Sequence, residues 1–185
     1  MIQLDFSPFP DLLTDRLHLR SFEEKDSKTI FALRSNPIVA EYLDRPLLQQ
    51  EADAVAYINK MIKGVQENQW IIWAISVKDG PMIGSICLWN IVEEEAQAEI
   101  GYELLPHFQG RGFMQEAVAA VLGYGFQQMH LHKIRAILDK RNQSSLRLLE
   151  KYGFVQDKTY SDKEETLISY MLNDEIIDLN WPKNR

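Results

Sequence analysis

The stretch Ala96–Ala117, AQAEIGYELLPHFQGRGFMQEA, decides the fold, because a strand, a turn and a glycine-flanked helix start follow one another in it. Apolar and polar residues alternate along its first nine positions, a pattern that predicts a β-strand with one core face and one face that stays polar. The core face carries Ala96, Ala98, Ile100, Tyr102 and Leu104, and the polar face carries Gln97, Glu99, Gly101 and Glu103.

A loop with two glycines, Gln109-Gly110-Arg111-Gly112, leads from this strand into a helix predicted over Phe113–Met129. Apolar residues recur there at spacings of three and four, so one helix face is buried. Glycines before a helix N-terminus let backbone N–H groups approach an anion, and the helix dipole favours negative charge at that end. The stretch therefore predicts a site for a pyrophosphate-bearing cofactor, with a tight turn that binds nothing as the alternative.

The composition of the 185-residue chain, with 45% hydrophobic and 25% charged residues, is typical of a soluble globular protein, and we expect a single domain over residues 1–185. A net charge of −7 argues against nonspecific binding to nucleic acid or to an anionic membrane. We expect neither a signal peptide nor a membrane span, and therefore a cytoplasmic protein. Cys87 is the one cysteine, which excludes an intrachain disulfide, and we expect a buried, unreactive thiol.

The rest of the chain alternates between strand and helix patterns. The predicted strands are Thr14–Phe22, Trp70–Val77, Met82–Trp89, Lys133–Asp139, Gly153–Thr159 and Glu164–Leu172. The predicted helices run from Asp26 or Ser27 to Ser35, over Gln49–Glu67 and over Asn142–Tyr152, with a loop at Val39–Pro46. A right-handed crossover through the long helix would make Lys133–Asp139 parallel to the strand before it. This order predicts one mixed α/β domain.

Four motifs in this order resemble the GNAT superfamily of acetyl-CoA-dependent N-acetyltransferases, and within it the RimJ/RimL-like branch that includes ribosomal-protein N-terminal acetyltransferases. The motifs are TDRLHLR at the start, AEIGYEL, QGRGFMQEA and NQSSLRLLEKYGF. The resemblance covers almost the whole chain. It implies the GNAT fold, a central, mostly antiparallel mixed sheet with splayed central strands flanked by helices. It also implies acetyl-CoA as co-substrate, an amine acceptor (a protein N-terminus or a small molecule), and a monomer or homodimer.

The same resemblance implies which residues hold coenzyme A. In the family pattern Gln/Arg-x-x-Gly-x-Gly/Ala, Gln109 and Gly112 match, whereas Met114 stands where a small residue is usual. The backbone amides expected to hold the pyrophosphate are those of Gln109, Gly110, Arg111, Gly112, Phe113 and Met114. Backbone groups near Leu104 and Leu105 are expected to pair with the pantetheine arm in the gap between the splayed strands. Asn142 is expected both to cap a helix and to contact the coenzyme.

The chemistry requires that the attacking amine lose a proton, because the pKa is about 7.7–8.0 for an α-amine and about 10.4 for a lysine amine. A carboxylate, reached directly or through water, can act as the base. Glu99 matches the family's catalytic glutamate and is the first candidate, with Glu103 in reserve, although several relatives work without a dedicated base. Many relatives carry an acidic tyrosine where this chain has Leu149, so the resemblance implies that Ser145 donates a hydrogen bond to the coenzyme A sulfur.

Two other functions stay open. A nucleotide-dependent oxidoreductase is suggested by Gly110-x-Gly112 after a strand and by Asp139 as a ribose-binding acid, but Gln115 replaces the third glycine of that fingerprint. A GNAT fold that binds acyl-CoA without turnover is compatible with Leu149.

Two further expectations concern metals and the acceptor. We expect no metal site, because His130 and His132 lack further ligands at suitable spacing. By the resemblance, the acceptor groove is bordered by Tyr42 within Glu41–Pro46, and by Trp89 and Asn90.

Overall fold

A computed structural model describes residue 2 and residues 4–176, and these form one eight-stranded sheet with helices on both faces. The strands are β1 Leu12–Leu13, β2 Leu17–Arg20, β3 Ile71–Val77, β4 Met82–Val92, β5 Gln97–Leu104, β6 Lys133–Asp139, β7 Val155–Gln156 and β8 Leu167–Asn173. The α-helices are α1 Ser27–Arg34, α2 Pro37–Ala40, α3 Glu51–Gln66, α4 Phe113–Gln127 and α5 Gln143–Lys151.

The strand order is β1-β2-β3-β4-β5-β6-β8-β7, and every neighbouring pair is antiparallel except β5 and β6. This confirms the predicted mixed, mostly antiparallel sheet and the parallel direction of β6. The β5–β6 ladder holds three pairs, from Gln97↔Lys133 to Glu99↔Arg135. Beyond Glu99 the two strands part, as expected for splayed central strands, and the β6-facing edge of β5 is left with backbone groups that no strand pairs.

One face of β5 packs into the core beneath α4. Ala98 and Ile100 are buried there, and Gly125 of α4 lies so close to the sheet that an added Cβ would come within 2.9 Å of the Ile134 Cδ1 atom. Fully burying an aliphatic side chain of the size of Ile100 contributes about 1.5–3 kcal/mol to stability relative to leaving it exposed. The helix that begins at the glycine loop is therefore fixed on the sheet by the apolar stripe that its sequence predicted.

The opposite face of β5 is polar, as predicted, but it does not face solvent. Gln97, Glu99 and Glu103 are 5%, 6% and 9% exposed. The chain around α1 and α2 covers this face, because Arg34 and Arg45 reach across to the Glu103 carboxylate. An alternating pattern distinguishes apolar from polar positions but does not show whether another element covers the polar ones.

Three segments differ from the sequence prediction. The predicted loop at Val39–Pro46 begins inside α2, because the Asn36 side chain caps that helix by accepting from the Ile38 N–H, and Pro37 suits its first turn. The predicted strand Gly153–Thr159 shrinks to β7, since the Asp157 side chain accepts from Thr159 and forms a turn instead. The two-residue β1 was not predicted.

Candidate active site

The loop before α4 has the backbone conformation that its glycines predicted. Gly110 and Gly112 have φ values of +72° and +78°, a left-handed conformation that glycine adopts without strain, and Gly112 occupies the N-cap of α4. The first N–H groups of this 15-residue helix therefore face the space that the loop encloses. Together they form a cradle of amides at the positive end of a helix dipole, which suits a pyrophosphate.

A clamp of side chains ties this loop to the first part of the chain. Glu116 of α4 accepts from the Arg16 Nε at 2.7 Å, from the Arg16 backbone N–H at 2.7 Å and from the Thr14 hydroxyl. The Arg16 guanidinium also donates to the Arg111 carbonyl at 3.0 Å and lies 4.5 Å from the centroid of the Phe113 ring. Thr14 and Arg16 belong to the TDRLHLR motif, so the clamp gives that motif a physical role at the loop.

A cavity of about 540 Å³ opens where β5 and β6 part. Its wall combines the end of β5, the glycine loop, the start of α5 and the segment around Tyr42. The lining residues are Val39, Tyr42, Leu43, Tyr102, Glu103, Leu104, Phe108, Gln109, Gly110, Gly112, Phe113, Met114, Gln115, Asn142, Ser144, Ser145, Arg147, Leu148 and Lys151. A chamber of this size with an amide cradle at one side fits the phosphate and pantetheine parts of coenzyme A.

Most residues predicted to hold the coenzyme line this cavity, namely Leu104, Gln109, Gly110, Gly112, Phe113, Met114, Asn142 and Ser145. Leu105 and Arg111 are adjacent to it but are not on its wall. The Leu105 N–H donates to the Ile83 carbonyl at 2.9 Å, and the Leu104 carbonyl accepts from the Gln109 side chain at 3.0 Å. The backbone of this bend is thus partly engaged within the protein.

The start of α5 places Asn142 and Ser145 at the cavity. The Asn142 side chain caps the helix by accepting from the Ser145 N–H at 3.1 Å and from the Ser144 hydroxyl at 2.8 Å. This confirms the predicted cap and fixes the first turn of α5. Leu149 lies one turn further on and is fully buried in the core, so the position of the missing tyrosine serves packing in this protein.

Glu103 lines the cavity, and two arginines hold its carboxylate. Arg34 Nη1 lies 2.8 Å from one oxygen and Arg45 Nη2 lies 2.9 Å from the other. Arg45 also donates to the Arg34 carbonyl at 2.9 Å, and the Arg34 guanidinium lies 4.1 Å from the centroid of the Tyr57 ring. Two positive charges share one negative charge, so the cluster carries a net positive charge. Sequence reasoning missed both arginines, because nothing local indicates their partner.

Glu99 lies at the last pair of the β5–β6 ladder and is not on the cavity wall. One carboxylate oxygen accepts from the Asn90 side chain at 2.8 Å, and the other makes no bond to any residue that the structure describes. Asn90 is directed towards Glu99 by its position in a bulge of β4, where its φ is +46°. Trp89, which was expected to border the acceptor groove, is 47% exposed on the same strand.

Two further residues have a shifted pKa with a clear physical cause. Cys87, which was expected to be buried, is half-buried, and desolvation raises the pKa of its thiol to about 12, which favours the protonated form. At the end of β6, hydrogen bonds from the Arg141 side chain and backbone lower the pKa of Asp139 to about 2. The Arg141 guanidinium lies 5.9 Å from the centroid of the Tyr42 ring, so it connects the end of β6 with the segment around Tyr42.

The oxidoreductase alternative does not fit this geometry. A dinucleotide-binding fold is a mostly parallel, doubly wound sheet, whereas β5 and β6 are the one parallel pair in the described sheet and the strands that lead up to the loop, β3, β4 and β5, are antiparallel. The Asp139 carboxylate is already bonded to Arg141 at 2.6 Å, which leaves it poorly placed to bind a ribose.

The helices between residues 4 and 176 are too short or too polar to cross a membrane. Across the same described range, no group of three or more His, Cys, Asp or Glu side chains is arranged to hold a metal ion.

Comparison with known proteins places the chain in a family. Residues 16–155 match the family described as "Acetyltransferase (GNAT) domain". The chain is 35% identical over 164 residues to YoaA, an uncharacterised N-acetyltransferase of Bacillus subtilis, covering 88% of this chain and 89% of that protein. It is 26% identical over 136 residues to the spermidine N(1)-acetyltransferase of Escherichia coli, covering 74% and 71%.

A solved structure shares the fold. RimL, a ribosomal-protein α-N-acetyltransferase in complex with coenzyme A, superimposes with a TM-score of 0.78 at 18% identity, covering 89% of this chain and 98% of that chain.

The clamp on the glycine loop predicts a pH-dependent stability. Burial alone would raise the pKa of Glu116, but the hydrogen bonds from Thr14 and Arg16 outweigh it and the pKa is lowered. At pH values above the unfolded-state pKa of about 4.3, the ionised carboxylate therefore stabilises the fold. This contribution is lost as the pH falls through the lowered pKa of the native state. We expect Glu116→Gln to reduce the free energy of unfolding by about 1 kcal/mol at pH 7, because Arg16 is half exposed, and by less as the pH approaches 3.

Denaturant unfolding from pH 7 to pH 3 measures this difference. Glu94→Gln is the matched control, since Glu94 is exposed in the connector before β5, and its unfolding free energy should follow that of the wild type. An equal loss for Glu116→Gln at every pH would contradict the assigned charge interaction.

Proposed function

The chain belongs to the acetyltransferase (GNAT) family, and from this premise we propose that it transfers the acetyl group of acetyl-CoA to an α-amine, such as a protein N-terminus, by direct attack. Members of this family are N-acetyltransferases that use acetyl-CoA, so the reaction and the co-substrate follow from membership. The acceptor class is our inference. The observation that carries it is the neutralisation of Glu103 by two arginines.

Charge on the cavity wall disfavours a polycationic acceptor. Among the described residues that line the cavity, Glu103 is the one acid, while Arg147 and Lys151 are bases. Because Arg34 and Arg45 hold the Glu103 carboxylate, it offers no unpaired negative charge to a second ammonium group. Specific recognition of a polyamine requires complementary negative charge, whereas an acceptor with one amine does not. The relative that acetylates spermidine therefore suggests the reaction but not the acceptor.

The proton balance also favours an α-amine. With a pKa of about 7.7–8.0, roughly half to two thirds of such amines are neutral at pH 8, against about 0.4% of lysine amines with a pKa of about 10.4. An enzyme that binds an α-amine therefore needs only modest help from a base. We assign that help to Glu99, which has one oxygen that no described residue bonds, where β5 and β6 part, and which acts through water.

The remaining predicted residues take the roles that their positions allow. The amides of Gln109–Met114 hold the pyrophosphate in the cradle at the start of α4. The bend at Leu104 and Leu105 lies along the pantetheine path, and Asn142 fixes the first turn of α5 so that Ser145 faces the cavity. Acetyl-CoA supplies the activated acetyl group, and the chain positions it, admits the amine and accepts the proton.

Ligand-dependent stability tests the co-substrate site directly. We expect acetyl-CoA at about a hundred times its dissociation constant to raise the free energy of unfolding by about 2.7 kcal/mol, because it binds the folded state alone. Thermal unfolding with acetyl-CoA measures this, with NADH and ATP as controls that should give smaller rises. A rise with NADH that exceeds the one with acetyl-CoA would overturn the assignment.

Acceptor choice follows from the cavity charge. We expect thiol release from acetyl-CoA with a short peptide that has a free N-terminus, and at least ten-fold slower release with the same peptide N-terminally blocked but carrying an internal lysine. Spermidine should be the poorest acceptor, because the wall offers it no unpaired carboxylate. Faster turnover of spermidine would contradict the acceptor assignment. Binding of acetyl-CoA with no turnover of any amine would identify a non-catalytic acyl-CoA-binding protein.

The role of Glu99 predicts a pH-dependent loss of rate. We expect Glu99→Gln to lower kcat roughly a hundred-fold at pH 7, with little change in the KM for acetyl-CoA. The kcat of this variant should recover as the pH rises, because the amine then loses its proton unaided. The matched variant Glu103→Gln removes the same charge from the same strand face. It should lower the free energy of unfolding, and its kcat should not show this recovery at high pH. Equal rates for Glu99→Gln and wild type across the pH range would exclude Glu99 as the base.

A further inference from the structure

A row of side chains crosses the sheet at the edge of the gap between β5 and β6. Residues paired in register project from the same face of a sheet. Ile134 of β6 lies beneath Gly125 of α4, so the residue after it projects from the opposite face. Read from β4 through β5 and β6 to β8, the row on that opposite face consists of Trp89, Glu99, Arg135 and Met171.

Arg135 carries a positive charge that no described residue neutralises. The residue is half-buried, its Nε is buried without a hydrogen-bond partner, and its Nη2 has the Met171 sulfur at 4.0 Å, which is a weak acceptor. It makes no ion pair with Glu99, although the two residues are directly paired across β5 and β6. Burying an unpaired charge is unfavourable, so arginines in such positions usually have an anionic partner. This position therefore suits an anion that a ligand supplies.

Two acids near this part of the sheet are held by other groups. Asp157 accepts from the Thr159 N–H at 3.0 Å and from the Thr159 hydroxyl at 2.6 Å, and Asp139 is bonded to Arg141 at 2.6 Å. The hydrogen bonds from Thr159 are the main cause that lowers the pKa of Asp157, and the charge of Arg135 contributes less. Asp157 therefore lies within the field of Arg135 but forms no ion pair with it.

We propose that Arg135 binds a carboxylate of the acceptor, so that the acceptor is an α-amine with a carboxylate on the same residue. Glu99 receives the proton of the amine through water, and the terminal nitrogens of Arg135 pair with the carboxylate. This inference rests on the proposed acetyl transfer and narrows its acceptor. The cluster of Glu103 with Arg34 and Arg45, on the same face of the sheet, adds a net positive charge that favours an anionic acceptor.

The spacing of the strands suits such an acceptor. Neighbouring strands lie about 4.8 Å apart, so one small residue can contact both Glu99 and Arg135. The amine and the carboxylate of one amino-acid residue are only a few bonds apart. The row is also open at its β4 end, where Trp89 is 47% exposed. Two sources have this chemistry, because a free amino acid offers its α-carboxylate and a peptide that begins with aspartate offers a side-chain carboxylate.

Matched acceptors test the proposal on the wild-type protein. Thiol release from acetyl-CoA is compared between free alanine and alaninamide, and between a peptide that begins with aspartate and the same peptide that begins with asparagine. We expect the acid of at least one pair to have a kcat/KM roughly ten-fold higher than its amide, and that pair identifies the source. A neighbouring carboxylate favours the protonated amine, so the preference cannot come from the amine itself.

Arg135→Gln removes the charge that we assign to carboxylate binding. We expect it to lower kcat/KM for the preferred acid roughly ten-fold, mainly through KM, with little change for the matched amide. Arg135→Lys keeps the charge and should restore part of the loss. Calorimetry with the protein saturated with coenzyme A gives a second readout, in which the dissociation constant of the acid should rise by a similar factor in Arg135→Gln.

Lys133→Gln is the matched control. Lys133 lies on the same strand and the same face two residues before Arg135, where β5 and β6 are still paired, so this variant removes the same charge away from the gap. It should keep the preference for the acid. An equal loss of kcat/KM for acid and amide in Arg135→Gln would indicate a structural role and overturn the proposal.

The two proposals fail in different ways. Thiol release at equal rates from acid and amide in both pairs would overturn the role of Arg135 and leave acetyl transfer intact. No thiol release by the wild type with any of the four acceptors would overturn the proposed function and this inference with it. Should Arg135→Gln not fold, the wild-type comparison of acid with amide decides, because it needs no variant.

Discussion

After Glu99 and Arg135, β5 and β6 no longer pair, and the rest of the candidate site depends on that separation. The gap leaves room for a cavity that residues from both faces of the sheet line, including Tyr42 on one side and Phe113 on the other. It also leaves backbone groups of β5 without a strand partner in the interior of a sheet, where such groups are usually paired. A ligand that carries amide groups can form hydrogen bonds with such a strand edge, and the pantetheine arm of coenzyme A carries amide groups.

Buried charges lie beside this gap, at the cavity wall. Glu103 and its two arginines join the chain near α1 and α2 to β5, where an apolar contact would give less control of position. Removing one partner of such a cluster leaves an uncompensated buried charge, which is strongly destabilising, so the cluster is better viewed as fixing geometry than as adding stability. The free-energy cost of burying this charged cluster is consistent with a position that serves function.

Much of the fold and the site could be predicted because the signals are local. The alternation in β5, the glycines before α4 and the cap at Asn142 each act within a few residues, and the structure has all three where expected. The contacts of Glu103 could not be predicted, since Arg34 and Arg45 precede it by 69 and 58 residues and carry no pattern of their own. The sequence pattern placed Tyr102 in the core for a related reason. Alternation identifies the strand face on which Tyr102 lies. The gap that exposes this face to a ligand arises from the separation of two strands, which the pattern of one strand does not show.

The cavity draws its two halves from parts of the chain that can change independently. The half proposed for the coenzyme comes from α4, α5 and the loop between residues 109 and 112. The half proposed for the acceptor comes from the segment around Val39, Tyr42 and Leu43, which is anchored by the arginines on either side of it and is otherwise at the surface. Insertions or substitutions in that segment leave the donor half intact. Divergence among descendants of such a protein would therefore appear first as new acceptors, with the same coenzyme retained.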